Sequence, residues 1–447
     1  MERKALNRKM FKSLALLSLP TMLEYLLSTL MQYVDTAMVG RLGADATAAV
    51  STTTTITWLT GNICAAVAVA VLTMIAMQIG AGQTDTVKTT AAQALLLSVA
   101  TGTLIMAVSV ILSPFIPGWM GVDLSVRVEA AAYFRIISLS MVFRSMSIVL
   151  GAAVRATHDT KTPMIINLTA NGLNVLLNAL FIYGLDMGVR GAASATALST
   201  SVAGLWTLVV FFRNRMLRFE KERLKPDATI LKECTRIGSP VLATGITSCM
   251  GYVVFASMIT RLGNVIFAAH SIAVTAEEFF YLPGYGLRSA TQTMVGNAVG
   301  EEDTDKLKSV SFVSICFTVF LMCLSGGALF FAAGPLMRFF TSSDEVALIG
   351  AGLLKMVALS EPFFGLQVVL EGICYGLGKT KLPFFIHTLS MWCVRILFTY
   401  LCIHVWGFGI RAVWVCMIAD NLCKALLSAG MTKHVFRGLF QKISSEV

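Results

Sequence analysis

Residues 20–43 read PTMLEYLLSTLMQYVDTAMVGRLG, and residues 240–263 read PVLATGITSCMGYVVFASMITRLG. Each opens on a proline, stays largely apolar for about the 20 residues a bilayer crossing needs, and closes on Arg-Leu-Gly. The second copy lies 220 positions after the first. The same shift pairs Met38 with Met258, Ser51 with Ser271, Met74 with Met294, Gly80 with Gly300, and Lys88 with Lys308. It also pairs Thr160, Lys161 and Pro163 with Thr380, Lys381 and Pro383. After one inserted residue, Gly188-Val189-Arg190 is answered by Gly409-Ile410-Arg411. A triplet can recur by chance, but a nearly gapless match through most of each half is an internal repeat.

Composition says where the repeat lives. Of 447 residues 56% are hydrophobic and 13% charged, and long apolar runs recur from end to end, more apolar surface than a soluble core could absorb. The spans expected are 13–39, 47–79, 89–116, 127–154, 163–184 and 190–212, then 234–260, 266–299, 308–335, 346–377, 383–406 and 410–432. The fold class is therefore an all-α integral membrane protein of about twelve transmembrane helices in two six-helix repeats. An even number of spans per repeat gives both copies one orientation, so they are parallel repeats, an arrangement suited to alternating access. The expected domains are an amino-terminal lobe at 1–212, a charged linker at 213–232 broken by Pro226, and a carboxy-terminal lobe at 233–447.

The net charge of +10 reads as orientation rather than nucleic-acid binding. Arg3, Lys4, Arg8, Lys9 and Lys12, then Lys88, Arg155, Lys161, the run from Arg213 to Arg236, Lys306, Lys308, Lys379, Lys381, Lys433, Arg437 and Lys442 all fall on one side. The opposite loops hold little beyond Arg41, Arg127, Arg190, Arg261, Arg338 and Arg411. That asymmetry places both termini and the linker in the cytoplasm of a cell-membrane protein. The basic start followed by an apolar run lacks a small-residue cleavage site and is read as a retained span. Ten cysteines without a CxxC pair support neither a disulfide framework nor a zinc site. No HExxH, Walker loop or selectivity-filter repeat is present, so an enzyme or a channel has little support.

Within the quoted stretch, Glu24, Ser28, Gln32 and Asp35 are four, four and three residues apart, one face of a helix. A carboxylate at membrane depth costs about 2.5–3.5 kcal/mol on insertion scales, so the stripe needs partners or a wet cavity. In the fifth span, Asn167, Asn171, Asn174 and Asn178 repeat at four, three and four, a second polar stripe that should face the bundle. Such amides serve either as interhelical hydrogen-bond partners or, with a carboxylate, as oxygen ligands for a hard cation. A desolvated aspartate equally suits a proton.

Four segments together resemble the multidrug and toxic compound extrusion (MATE) transporters. They are Pro20 with Val34-Asp35-Thr36 and Gly40, the motif RATHDTKTP at 155–163, its echo YGLGKTKLP at 375–383, and PGYGLRSATQTMVGNAVGEE at 283–302. The resemblance covers essentially the whole chain. It implies a V-shaped pair of six-helix lobes that exports organic cations or amphipathic drugs in antiport with protons or sodium ions. It implies a cation site in the amino lobe at Asp35, with Asn174 and Asn178 as the polar pair of span five and Thr196 as a hydroxyl of span six. Some relatives carry Asp where Asn178 stands. Many carry an acid about two turns after the proline of span seven, where this chain reads LATGITSCM with Ser248 near the place. No cofactor beyond the coupling ion is implied, and the partners are a small-molecule drug and the bilayer, with no nucleic acid and the chain taken as a monomer.

The carboxy-terminal half has acids of its own. Glu277 and Glu278 precede Pro283-Gly284, and Glu361, Gln367 and Glu371 lie on span ten. Lys355, Arg395 and Asp420 are expected to neutralise them in an ion-pair network. Alternatively, Glu277, Glu361 and Gln367, with Glu24 and Asn171 of the other half, line a second site or the cleft. Pro283 with Gly284 and Gly286 is expected to interrupt span eight, and Pro362 span ten, so that the two lobes flex differently. Another function open to the same scaffold is a flippase for lipids or lipid-linked saccharides.

Overall fold

A computed structural model describes residues 2–121 and 123–445; the side chain of Lys442 lies outside the described residues. All regular elements among them are helices. Ten helices are long and apolar enough to cross a bilayer, and two bent pairs, each counted as one span, raise the total to twelve.

In chain order the spans are Glu2–Gly40, Ala44–Gly80, Thr84–Leu112, the pair Leu124–Leu139 and Met141–Ala156, Lys161–Asn178 running on as a π turn over Ala179–Gly184, and Gly188–Arg213. After the linker come Ala228–Thr260, Asn264–Gly300, Thr304–Phe340, the pair Asp344–Ala358 and Glu361–Gly376, then Lys381–Ser390 continued through π turns to Val405, and Ile410–Ser445. Pro163 and Pro383 both sit in the first turn of their helices, where a missing N–H costs nothing.

The repeat governs the turns. Gly43 and Gly263 leave the Arg-Leu-Gly triplets at φ 112° and 105°, a region open to glycine alone at no cost. Two further turns keep a left-handed residue even where one copy lacks glycine: Gly82 at 68° answers Glu302 at 56°, and His158 at 67° answers Gly378 at 67°.

The bends are also repeated, which corrects the expectation of unlike flexing. Span four bends by 46° and span ten by 53°. The hinge serines, Ser140 and Ser360, stand 220 positions apart and are both buried. Ser140 Oγ donates to the Ile137 carbonyl at 2.8 Å and Ser360 Oγ to the Val357 carbonyl at 2.9 Å. Each hydroxyl takes a carbonyl away from the helical ladder, so a helix bends there without needing a proline. Pro362 follows the break in the first turn of the new helix. Pro283 does not interrupt span eight, which runs unbroken from Asn264 to Gly300. Ser325 Oγ donates to the Phe280 carbonyl at 2.6 Å, an added hydrogen bond to the turn that precedes the proline.

Two compact units emerge, one of Met1–Met22 with Ala243–Val447, the other of Leu23–Leu242. Each includes the first half of the other repeat's leading span. In the first unit Met10, Leu14 and Leu17 pack with Leu287, Ala290 and Met294. In the second, Ile230, Cys234 and Ile237 pack with Ala70 and Met74. A shift of 220 converts the Met10, Leu14, Leu17 set into the Ile230, Cys234, Ile237 set. The linker is fastened to the second unit: Gln93 Nε2 donates to the Lys225 carbonyl at 2.8 Å, and Arg223 pairs with Asp85 at 2.9 Å.

Candidate functional site

Spans one and five run in the same direction and face each other along their polar stripes. Asn167 Nδ2 donates to Glu24 Oε1 at 2.6 Å, Asn171 Nδ2 to Ser28 Oγ at 2.9 Å, and Asn178 Nδ2 to Asp35 Oδ1. Every rung joins residues 143 positions apart, so the two stripes keep one register over three helical turns. Tyr183 closes the far end, its hydroxyl donating to the Met38 carbonyl at 2.9 Å.

The rungs differ in chemistry. Glu24 is compensated: Arg155 Nη1 stands 3.6 Å from the carboxylate that also accepts from Asn167. Arg155 belongs to the RATHDTKTP motif, which the sequence singles out without assigning it a partner. Glu24 and Asp35 are eleven residues apart on one helix, about 16 Å along its axis, so Glu24 does not join Asp35 in one ligand set.

Asp35 forms no ion pair among the described residues. Its neighbours are amides and hydroxyls: Asn178 Nδ2 also approaches Asn174 Oδ1 at 3.3 Å, and Asn174 Nδ2 donates to Thr196 Oγ1 at 3.2 Å. The four residues Asp35, Asn178, Asn174 and Thr196 thus form one connected chain across spans one, five and six. Asn178 is fully buried, yet its Oδ1 has no hydrogen-bond partner. A buried carbonyl-type oxygen without a donor costs about 1–3 kcal/mol. Next to an uncompensated carboxylate, that oxygen is suited to a small cation or to a proton carried by the acid. The buried Tyr133 lies within electrostatic reach of Asp35 and was not signalled by any stripe in the sequence. The π turn that begins at Ala179 directly follows Asn178, a wider helical turn of the kind that often borders functional sites.

The carboxy-terminal unit lacks this arrangement. The shift of 220 places Phe255 opposite Asp35, His387 opposite Asn167 and Phe398 opposite Asn178. Polar contacts between spans seven and eleven of this unit include Ser248 Oγ with His387 Nδ1 at 3.3 Å, Thr247 Oγ1 with Thr388 Oγ1 at 3.3 Å and Arg261 Nη1 with His404 Nε2 at 3.1 Å. Glu277 and Glu361 are buried and within electrostatic reach of each other, and Glu361 Oε2 has no partner. Gln367 lies apart from them, beside a 10 Å³ cavity shared with Glu371, His387 and Lys424.

The expected ion-pair network forms in part. Asp420 pairs with Arg395 and with Lys424, both at 2.9 Å, and accepts from Ser390 Oγ at 2.6 Å. Glu371 pairs with Arg288 at 3.1 Å and accepts from the Tyr375 hydroxyl. Lys355 does not take part: its ammonium lies over the Phe330 ring, 5.8 Å from the centroid, and it forms no ion pair among the described residues. Lysine's long stem lets the charge leave the helix packing for an aromatic face. Lys424 was missed although Asp420 stands four residues before it, a spacing that brings side chains together on a helix.

The MatE family model matches residues 20–180 and 240–401, one match in each repeat and again 220 positions apart. The chain is 28% identical over 421 residues to a probable multidrug resistance protein, NorM, of Thermotoga maritima, covering 93% of this chain and 90% of the relative. It is 25% identical over 441 residues to the probable multidrug resistance protein YoeA of Bacillus subtilis, covering 96% and 94%. The solved outward-facing structure of a multidrug resistance MATE family transporter shares the fold at a TM-score of 0.92 with 22% identity, covering 98% of each chain. With both halves of its repeat matched, the chain belongs to the MatE family.

Proposed function

We propose that this protein is a secondary active multidrug exporter that expels organic cations or amphipathic drugs in antiport with protons or sodium ions. Membership of the MatE family and the similarity to the probable multidrug resistance proteins NorM and YoeA support the substrate class. The observation that carries the coupling site is the Asp35 carboxylate, without an ion pair and hydrogen-bonded to the buried Asn178, whose own Oδ1 has no partner.

A cation arriving at this site neutralises Asp35. The hydrogen bond from Asn178 then loses its charge-assisted character, the rung between spans one and five weakens, and span one repacks. Affinity for the drug falls in that state and the drug leaves outward. Release of the ion to the cytoplasm, where the membrane potential contributes about 2.3 kcal/mol per charge per 100 mV, resets the carrier. Asn174 and Thr196 hold Asn178 in orientation through the remaining hydrogen bonds. Both termini and the linker are placed in the cytoplasm on the distribution of lysine and arginine.

The deciding experiment is efflux of a cationic dye from cells, or its uptake into everted vesicles, under separately imposed proton and sodium gradients. Gradient-driven movement against the dye's own gradient is the expected outcome and identifies the coupling ion. Uncoupled, ohmic flux or lipid scrambling without dye transport would overturn the exporter reading.

A further inference from the structure

The carboxy-terminal unit has a groove of about 360 Å³ between spans seven and eleven, lined by Val254, Met258, Trp392, Ile396 and Leu397 and capped by Arg261 and His404. Its place in the repeat shows that it is built rather than left over. The equivalent seam of the amino-terminal unit is closed by the rung from Asn178 to Asp35 and by Tyr183 on the Met38 carbonyl. Here Phe255 stands in place of Asp35 and Trp392 in place of Gly172, so the carboxylate–amide rung that closes the amino-terminal seam has no counterpart.

The cap has a definite electrostatic character. His404 Nδ1 lies 3.2 Å from the Tyr400 carbonyl, and its ring stacks on Tyr400 with centroids 4.5 Å apart. Its Nε2 lies 3.1 Å from Arg261 Nη1, so the ring holds the guanidinium in place. No carboxylate pairs with the exposed Arg261 among the described residues. Arg261 sits in the tight turn between spans seven and eight, at a membrane face. From there to Val254 the helix descends about 10 Å, within the roughly 15 Å of one leaflet's hydrocarbon.

We propose that this groove binds an anionic phospholipid, with the phosphate on Arg261 and one acyl chain along Val254, Met258, Trp392 and Ile396. The uncompensated guanidinium selects a negative headgroup and repels the organic cations proposed as export substrates. The remaining guanidinium N–H groups match phosphate oxygens, the apolar walls match a chain, and Trp392 and Tyr400 are side chains that favour the membrane interface. The lipid would fill the seam of spans seven and eleven that the other unit closes with the rung from Asn178 to Asp35.

The test is native mass spectrometry of the full-length protein in detergent, titrated with phosphatidylglycerol and, separately, phosphatidylcholine. Wild type should bind phosphatidylglycerol in preference. Arg261→Ala should weaken that binding roughly tenfold and remove the preference. Trp392→Leu should weaken both lipids, and Arg41→Ala, the matching arginine of the other repeat, should bind like wild type. Inorganic phosphate should not displace the lipid, because it lacks the chain. Equal binding of the two lipids by wild type, unchanged binding by Arg261→Ala, an equal loss in Arg41→Ala, or displacement by phosphate alone would each overturn the assignment. None of these readouts depends on transport, so failure here leaves the exporter reading untouched.

Discussion

Asn178 donates to Asp35 across the seam of spans one and five while its own buried Oδ1 stays without a partner. The amide is therefore half committed, serving the carboxylate and offering an oxygen beside it. Replacing Asn178 by Asp adds a second carboxylate there. The expected result is a sodium requirement for export satisfied at roughly tenfold lower concentration, measured as sodium-gradient-driven efflux. Asn178→Leu should abolish coupling with Asp35 still in place.

Asp420 holds two buried cations, Arg395 and Lys424. Asp420→Asn removes the ion-pair partner of both, and the expected destabilisation is about 3–5 kcal/mol. A fall in the thermal midpoint of the detergent-solubilised protein reads this directly. Adding Lys424→Met to the same chain should restore part of the loss, since it removes one of those two cations.

Gly326 and Gly327 are neighbours on span nine with opposite surroundings. A Cβ on Gly326 would stand 2.4 Å from the Ala358 carbonyl oxygen, at the bend of span ten, whereas one on Gly327 meets nothing within 4 Å. Gly326→Ala should cost about 1–3 kcal/mol through displaced backbone. Gly327→Ala should be neutral or stabilising, as expected for glycine replaced inside a helix. Thermal unfolding of the two variants side by side decides it.

The repeat-related turn residues Gly82 and Glu302 share the left-handed conformation, and only one of them is glycine. Glu302→Gly should raise stability by about 1 kcal/mol and Gly82→Glu should lower it by a similar amount. Both side-chain positions are exposed, so the backbone effect is not mixed with lost packing.

Much of this was legible in the sequence because membrane helices announce themselves. The span positions follow from apolar runs, and the 220-residue shift located the turns after Gly40 and Thr260 in advance. The two polar stripes were legible from their spacing, but not their register. That Asn178 joins Asp35 was implied by the family resemblance alone, because how two helices slide past each other is encoded in no local pattern. The break of span ten was signalled by Pro362, whereas the bend at Ser140 was missed because a buried serine bonding its own helix looks in sequence like any other serine. Pro283 misled in the opposite sense, since Ser325 adds a hydrogen bond to the turn before it from a neighbouring helix. Lys355 was assigned to the wrong partners because a long side chain on a helix can choose among several directions.

The central claim is that the charge of Asp35 couples ion movement to export. The most direct measurement compares wild type with Asp35→Asn in proteoliposomes, recording dye accumulation under an imposed ion gradient and, separately, dye binding without a gradient. The expected result is that Asp35→Asn still binds dye but no longer concentrates it. Gradient-driven accumulation at the wild-type rate by Asp35→Asn would contradict the claim.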